Sequence, residues 1–119
     1  MTSSVDPSFG SLPILLRVPA EPASLSTVRV FAASAGSVLG LEEESIEDLK
    51  LILSELCAGA EGSSLFSTTL TEDGSRVHVV CEGATDGSGS ASDRRRGILD
   101  ALIPDAVYAG DTVAFNLER

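Results

Sequence analysis

The stretch ESIEDLKLILSELCAGA, residues 44–60, decides the fold of this chain because it predicts a long amphipathic helix. Its apolar side chains recur every three or four residues, which is the spacing of one helix face. The members of this face are Ile46, Leu49, Leu53, Leu56 and Ala60, with Ile52 beside them. Negative charge in a first turn complements the helix dipole, and the helix is opened by Glu42, Glu43 and Glu44. We expect it to end near Ala60, because Gly62 and two serines follow.

A strand and a first helix are predicted upstream of that segment. Leu12–Val18 has the composition of a strand. Pro13 cannot donate to a sheet ladder, so we expect this strand at a sheet edge or starting late. Apolar residues at helical spacing predict a helix from Ser24, a candidate capping residue, to about Val38. Gly40 is its expected stop.

Two hairpins and a third helix are predicted downstream. Asp73-Gly74 lies between two β-prone runs, which is a strong hairpin signal. Residues 83–92 are almost all small or polar and predict a loop. The predicted elements are strands at 65–71 and 76–82, a helix at 94–103 that Pro104 ends, and strands at 106–108 and 112–117.

The order of these elements predicts an α+β fold, a two-layer α/β sandwich. One antiparallel or mixed sheet would be covered by helices on one face. Residues 1–11 are polar, with Gly and Pro, and are expected to be a flexible N-terminal tail. The remaining residues, 12–119, are expected to form a single domain, because a chain of 119 residues suits one hydrophobic core.

Composition excludes several classes of function. The formal net charge is −10 and Lys50 is the only lysine, which argues against nucleic-acid binding through a basic face. The sequence has no apolar run of about 18 residues, the length that would predict a membrane span, and it shows no leader pattern. We therefore expect a cytoplasmic protein. Cys57 and Cys81 lie in apolar runs and are expected to be buried free thiols. With a single histidine, no metal site is expected.

Three segments resemble the bacterial anti-sigma regulatory factors, the serine-protein kinases of the histidine-kinase-like ATPase superfamily. LRVPAEPASLSTVRVFAASAGSVLGL, residues 16–41, is similar to the first strand and helix of that family. Residues 44–60 are similar to its second helix, and residues 96–103 to its last helix. The resemblance implies the histidine-kinase-like ATPase fold, with a mixed sheet and a site for ATP and Mg²⁺.

The second helix of that family carries a Glu and, one turn later, an Asn. Glu55 matches the Glu, which implies the catalytic role of polarising the nucleophile. The position of the Asn, whose side-chain oxygen holds Mg²⁺ in the family, is occupied by Gly59. Glycine has no side-chain oxygen to offer a hard cation. The resemblance therefore implies a vestigial role for Glu55, and Gly59 disfavours ATP and Mg²⁺ as cofactors.

The other nucleotide motifs are altered as well. The family motif Asp-x-Gly-x-Gly, whose Asp contacts the adenine, has its nearest match in Asp86-Gly87-Ser88-Gly89, at a changed spacing. The Gly-x-Gly before the last helix keeps Gly97 but has Arg95 in place of its first glycine. The candidate cofactor-binding residues are Asp86, Gly87, Gly89 and Gly97, and we expect them to form a vestigial nucleotide site.

Two charged clusters are candidate partner-binding sites. Glu43, Glu44 and Glu47 are either a solvated helix start or a docking patch for a basic surface. Arg94, Arg95 and Arg96 are predicted in a first helical turn, where cations oppose the helix dipole. They are either solvated or in contact with an acidic partner or a phosphate.

We therefore expect a regulatory protein-binding domain that resembles an anti-sigma factor, with ATP binding lost or weak. The expected partner is a sigma factor or an anti-sigma antagonist. Two alternatives stay open. One is an active ATP-dependent serine-protein kinase that phosphorylates an anti-sigma antagonist. The other is a structural or dimerisation module that forms a homodimer.

Overall fold

The computed structural model describes residues 13–60, 65–83 and 90–119, with the backbone alone at 90–95. The predicted tail, residues 1–11, lies outside these ranges. The described residues form three α-helices: α1 (Leu25–Val38), α2 (Glu43–Gly59) and α3 (Ser90–Leu102). They also form five strands: β1 (Ile14–Pro19), β2 (Leu65–Asp73), β3 (Arg76–Glu82), β4 (Val107–Ala109) and β5 (Thr112–Glu118). The predicted α+β class is confirmed.

The five described strands form one sheet in the order β1-β2-β3-β5-β4, and every neighbouring pair is antiparallel. The expectation of a mixed sheet is therefore wrong. The chain leaves β1 at Pro19, passes through α1 and α2, and returns to the same end of the sheet. Leu65 therefore pairs with Pro19, and β2 is antiparallel to β1. The single crossover helix α3 gives β3 and β4 the same direction, but β5 lies between them.

Local sequence signals set most element ends. Pro13 precedes β1, which starts late and lies at the sheet edge, as predicted. The Gly40 stop of α1 is also confirmed. Gly40 has φ +80°, Leu41 donates its N–H to the carbonyl of Gly36 at 2.9 Å, and Gly40 donates to Ser37 at 3.1 Å. This is the Schellman pattern, which satisfies the last helical carbonyls.

α1 begins at Leu25, directly after Ser24 as predicted, but the expected capping bond and the start of α3 need correction. The side chain of Ser24 makes no capping hydrogen bond, because a short 3-10 turn at Pro22–Ser24 leads into α1 instead. α3 begins at Ser90 rather than Arg94. The small and polar residues at 90–93 were predicted as loop or cap, and they extend the helix by one turn. The three arginines therefore lie beyond the first turn of α3. The unfavourable effect of the helix dipole on cations is concentrated in that first turn, which the arginines avoid.

One face of the sheet packs against the helices and forms the core. Alternate strand residues are buried on this face, including Phe66, Leu70, Val79 and Phe115. They join one hydrophobic cluster with residues of all three helices. The other face carries half-buried and exposed side chains, since the burial of β2, β3 and β5 alternates strictly over most of their length. Within the described ranges this is a two-layer sandwich with one open sheet face.

Candidate functional site

α2 positions Glu55 at the edge of its buried stripe. Leu53 and Leu56 lie in the core on either side of it, and Glu55 itself is half-buried. Gly59 is the last residue of α2 and follows Glu55 by four residues, so the two positions share one helix face. The α2 boundaries thus agree with the sequence prediction. At the position where the family motif has an Asn side chain, this helix offers backbone alone.

The chain leaves the end of β3 at Gly83, against the start of β2. Gly83 has φ +86°, and an added Cβ would lie 2.2 Å from the carbonyl oxygen of Leu65. The backbone therefore leaves β3 in a conformation and at a distance that only glycine tolerates. Three of the predicted nucleotide-binding residues, Asp86, Gly87 and Gly89, come next and lie outside the described residues.

α3 carries Gly97, the last residue of the predicted nucleotide site, and packs against α2. Leu99 and, just after the helix, Ile103 anchor it in the core. Gly97 is exposed, and an added Cβ there would meet no heavy atom within 4 Å. A glycine at position 97 is therefore not required by close packing among the described residues.

Arg96 is the one member of the arginine triplet whose side chain the structure describes. Its guanidinium carbon lies 3.9 Å from the centroid of the Tyr108 ring, and its Nε lies 3.5 Å from a carboxylate oxygen of Asp100. The side chains of Arg94 and Arg95 lie outside the described residues. Burial raises the pKa of Tyr108, while the Arg96 cation lowers it and the Asp100 carboxylate raises it further. Arg96 is thus already engaged within its own domain.

The acidic cluster lies at the opposite end of α2 from Glu55. Glu43 and Glu44 are exposed in the first turn, and Glu47 pairs with Lys50 at 2.9 Å. A helix rises 1.5 Å per residue, so Glu47 and Glu55 are about 12 Å apart along the axis. The predicted partner-binding glutamates and the predicted catalytic glutamate therefore form two separate regions of one helix.

Neither cysteine is suited to nucleophilic chemistry. Both are buried free thiols, as predicted. Burial raises the pKa of Cys81 from 9.0 to about 12, although its hydrogen bond to Thr68 acts in the opposite direction. Burial also raises the pKa of Cys57. Because the thiolate is the reactive form, both side chains are protonated and shielded near neutral pH.

Sequence reasoning missed several polar contacts between elements. Arg29 of α1 donates from Nε to Ser54 Oγ at 3.1 Å, and Ser54, directly before Glu55, donates to the carbonyl of Lys50 at 2.7 Å. Arg119 donates to the Leu39 carbonyl at 3.2 Å and pairs with Glu72. For the contact between Arg29 and Ser54, the weak signal in the sequence was the arginine among the small residues of α1. Nothing in the sequence pattern indicated the contacts of Arg119.

Two further observations concern metals and membranes. Among residues 13–60, 65–83 and 90–119, no group of three or more His, Cys, Asp or Glu side chains could hold a metal ion. No helix in the described part of the chain has the length and apolar character needed to cross a membrane.

In comparisons with known proteins, no family model and no curated protein matches this chain.

Proposed function

We propose that this chain is a non-catalytic regulatory domain that resembles an anti-sigma factor and acts by binding a protein. The observation that carries the proposal is Gly59 at the end of α2, one turn after Glu55. The proposal retains the histidine-kinase-like ATPase fold as its architecture, with a nucleotide site that no longer works. It implies a cytoplasmic protein, because sigma factors and their antagonists act there.

The chemistry of Mg²⁺ supports the loss of catalysis. Mg²⁺ requires oxygen ligands in near-octahedral geometry and bridges the phosphates in phosphoryl transfer. Without an Asn oxygen at position 59, the site lacks the ligand that would hold the metal against the triphosphate. Glu55 alone can polarise a nucleophile but cannot replace that ligand one turn away. Binding of ATP is therefore expected to be lost or weak.

The charge distribution supports a protein partner. Glu43 and Glu44 are exposed at the start of α2, and the chain as a whole carries a net charge of −10. A basic surface on a sigma factor would be steered toward such a region. Arg96 contributes less to this proposal, because Tyr108 and Asp100 already contact it.

Calorimetric titration with Mg²⁺–ATP tests the loss of nucleotide binding. We expect no measurable heat of binding for the unmodified chain. The variant Gly59→Asn is expected to remain unable to bind, because the adenine-reading motif is altered as well. Glu55→Gln is the control for non-specific heats. Binding of Mg²⁺–ATP in the micromolar range by the unmodified chain would refute the proposal.

Co-purification from the native cell, followed by identification of the bound protein, tests the partner. We expect a sigma factor or an anti-sigma antagonist whose affinity falls when Glu43 and Glu44 are both changed to Gln. Asp105→Asn and Asp111→Asn, which remove two exposed carboxylates elsewhere, form the matched control. Equal affinity for both double variants would contradict docking at the start of α2.

An active serine-protein kinase is the second candidate, because Glu55 is present and half-buried at the expected position of α2. It requires transfer of phosphate from labelled ATP to an anti-sigma antagonist, and Glu55→Ala must abolish that transfer.

A further inference from the structure

β5 extends well beyond its neighbour β4 at one edge of the sheet. β5 has seven residues and β4 has three, and β4 pairs only with residues 112–114 of β5. The chain enters β4 from a turn in which Ala106 donates its N–H to the Ile103 carbonyl at 3.1 Å. Among the described strands, none therefore pairs with residues 115–118 on this side of β5.

A groove lies beside this unpaired half of β5. We call it the β5 groove, and it is lined by residues 102–106, by Phe115, Asn116 and Glu118 of β5, and by Arg76 of β3. Its volume is about 140 Å³. Sites for small-molecule ligands usually have about 300–1,000 Å³. The β5 groove is therefore too small for a nucleotide or a drug-sized molecule, but it has room for a short length of peptide.

The backbone of β5 directs hydrogen-bonding groups into the β5 groove. Arg119, directly after β5, donates its N–H to the Ser75 carbonyl at 2.8 Å, on the side of β3. These groups alternate between the two sides of an antiparallel strand, so residues 115 and 117 also face β3. The two-residue loop between β4 and β5 gives the same alternation, because the residues that flank such a loop form a hydrogen-bonded pair. The N–H and C=O groups of Asn116 and Glu118 therefore face the groove.

We propose that the β5 groove binds an extended peptide, which adds to the edge of β5 as a further strand in line with β4. The peptide residue opposite Asn116 would exchange two hydrogen bonds with it, as in any antiparallel ladder. In strand addition of this kind, main-chain bonds give affinity and alternate side chains give specificity. The inference depends neither on the nucleotide site nor on the acidic cluster of α2.

The two faces of the added strand would meet different surroundings. The side chains of Asn116 and Glu118 are exposed on the open sheet face, whereas Phe115 and Ile103 belong to the core. Side chains of a strand alternate between the two faces of its sheet. The peptide residue opposite Asn116 therefore points toward the open face, and its two neighbours point toward Phe115 and Ile103. A peptide with a polar residue between two apolar residues fits this arrangement.

Charge indicates that the polar residue of the peptide is basic. Asp105 and Glu118 contribute two carboxylates to the lining of the β5 groove, and Arg76 contributes one cation, which pairs with Glu118 at 2.7 Å. The lining thus has an excess of negative charge, and the whole chain carries −10. A basic peptide is attracted to both, whereas a second copy of this acidic chain would be repelled. Charged residues beside an open strand edge also oppose indiscriminate pairing.

NMR titration of the isotope-labelled full chain with acetyl-Val-Lys-Val-amide tests the proposal. We expect the amide proton signals of Asn116 and Glu118 to move downfield, because their N–H groups gain acceptors. The signal of Leu117, whose N–H faces β3, should move less. The same peptide with an N-methyl group on the backbone nitrogen of its lysine should bind at least about tenfold more weakly, because it loses a donor and cannot approach closely. Acetyl-Val-Glu-Val-amide should bind several-fold more weakly at low salt.

Two variants at position 116 isolate the backbone donor. Asn116→Pro removes the N–H that faces the β5 groove but no N–H of the ladder with β3, so an edge position of this kind tolerates proline. Asn116→Ala is the matched control, because it also removes the side-chain hydrogen bond to His78 but keeps the N–H. We expect Asn116→Ala to bind acetyl-Val-Lys-Val-amide like the unmodified chain, and Asn116→Pro to bind it at least about tenfold more weakly.

Circular dichroism establishes whether both variants are folded. If Asn116→Pro does not fold, the N-methylated peptide tests the same edge on the unmodified chain. The added strand is refuted if no amide signal of β5 moves, if the N-methylated peptide binds equally well, or if the two folded variants bind equally well. Equal binding of the glutamate peptide would overturn the basic occupant. A dimer that forms through β5 without peptide would assign this edge to a second copy and overturn the proposal.

Discussion

At the residue scale, two glycines near the candidate site behave in opposite ways. Gly83 combines a positive φ with a close approach of β3 to the carbonyl of Leu65. Gly97 lies in the exposed part of α3 with open space around it. The same residue type is therefore structural at the first position and replaceable at the second.

We predict that Gly83→Ala lowers the free energy of unfolding by about 2 kcal/mol or more, since the methyl group meets a backbone oxygen at an unfavourable φ. Gly97→Ala is the matched control and should raise the free energy of unfolding by up to about 1 kcal/mol, because alanine favours a helix over glycine. Urea denaturation of the two variants measures both effects. Equal changes at both positions would contradict the assigned backbone geometry.

At the element scale, α1 and α2 are joined by a polar contact as well as by their apolar faces. Ser54 is 5% exposed and accepts from Arg29 while donating to the backbone of its own helix. The contact joins α1 to α2 directly beside Glu55 in the chain. A hydroxyl that donates one turn back along its own helix also weakens that helix slightly.

A double-mutant cycle with Arg29→Ala and Ser54→Ala isolates this contact. We predict a coupling energy of about 0.5–1 kcal/mol in the free energy of unfolding, typical of one hydrogen bond to a charged side chain that is partly exposed. The single change Ser54→Ala is a poor measure, because alanine also improves helix propensity. Strictly additive effects would show that the helices do not depend on this contact.

The elements were more predictable from the sequence than the site was. Helical spacing in residues 44–60 and the Asp73-Gly74 hairpin signal gave α2, β2 and β3 to within two residues, because burial and turn geometry are local properties. The start of α3 was missed, since serines and an aspartate serve equally well in a loop, a cap or a first turn. Arg96–Asp100 is a local pair four residues apart on one helix. The contacts of Arg96 with Tyr108, of Arg29 with Ser54 and of Arg119 with Leu39 join residues distant in the chain, and no local pattern encodes them.

At the scale of the whole molecule, the buried thiol of Cys81 links stability to pH. Its pKa is about 12 in the folded protein against an ordinary value of 9.0. Between these values the unfolded chain releases the proton while the folded chain keeps it, so the unfolded state binds fewer protons. The free energy of unfolding must then fall as pH rises above about 9.

We predict that the free energy of unfolding decreases by roughly 1–2 kcal/mol between about pH 9 and about pH 10.5 through this thiol. Cys81→Ala should reduce that slope, although it also lowers stability at every pH by leaving a small cavity. Cys57 and Tyr108 remain in the variant, so the difference between the two slopes belongs to Cys81. Urea denaturation across this pH range provides the measurement, and identical slopes would contradict the buried, protonated thiol.

The order in which the strands are connected also has a consequence for assembly. β2 and β3 meet through a tight hairpin, and so do β4 and β5, whereas β1 reaches β2 only after both α1 and α2 intervene. Closing that long intervening segment costs entropy before any β1 hydrogen bond forms. β1 should therefore dock late during folding, and its amide protons should be the first in the sheet to exchange with solvent.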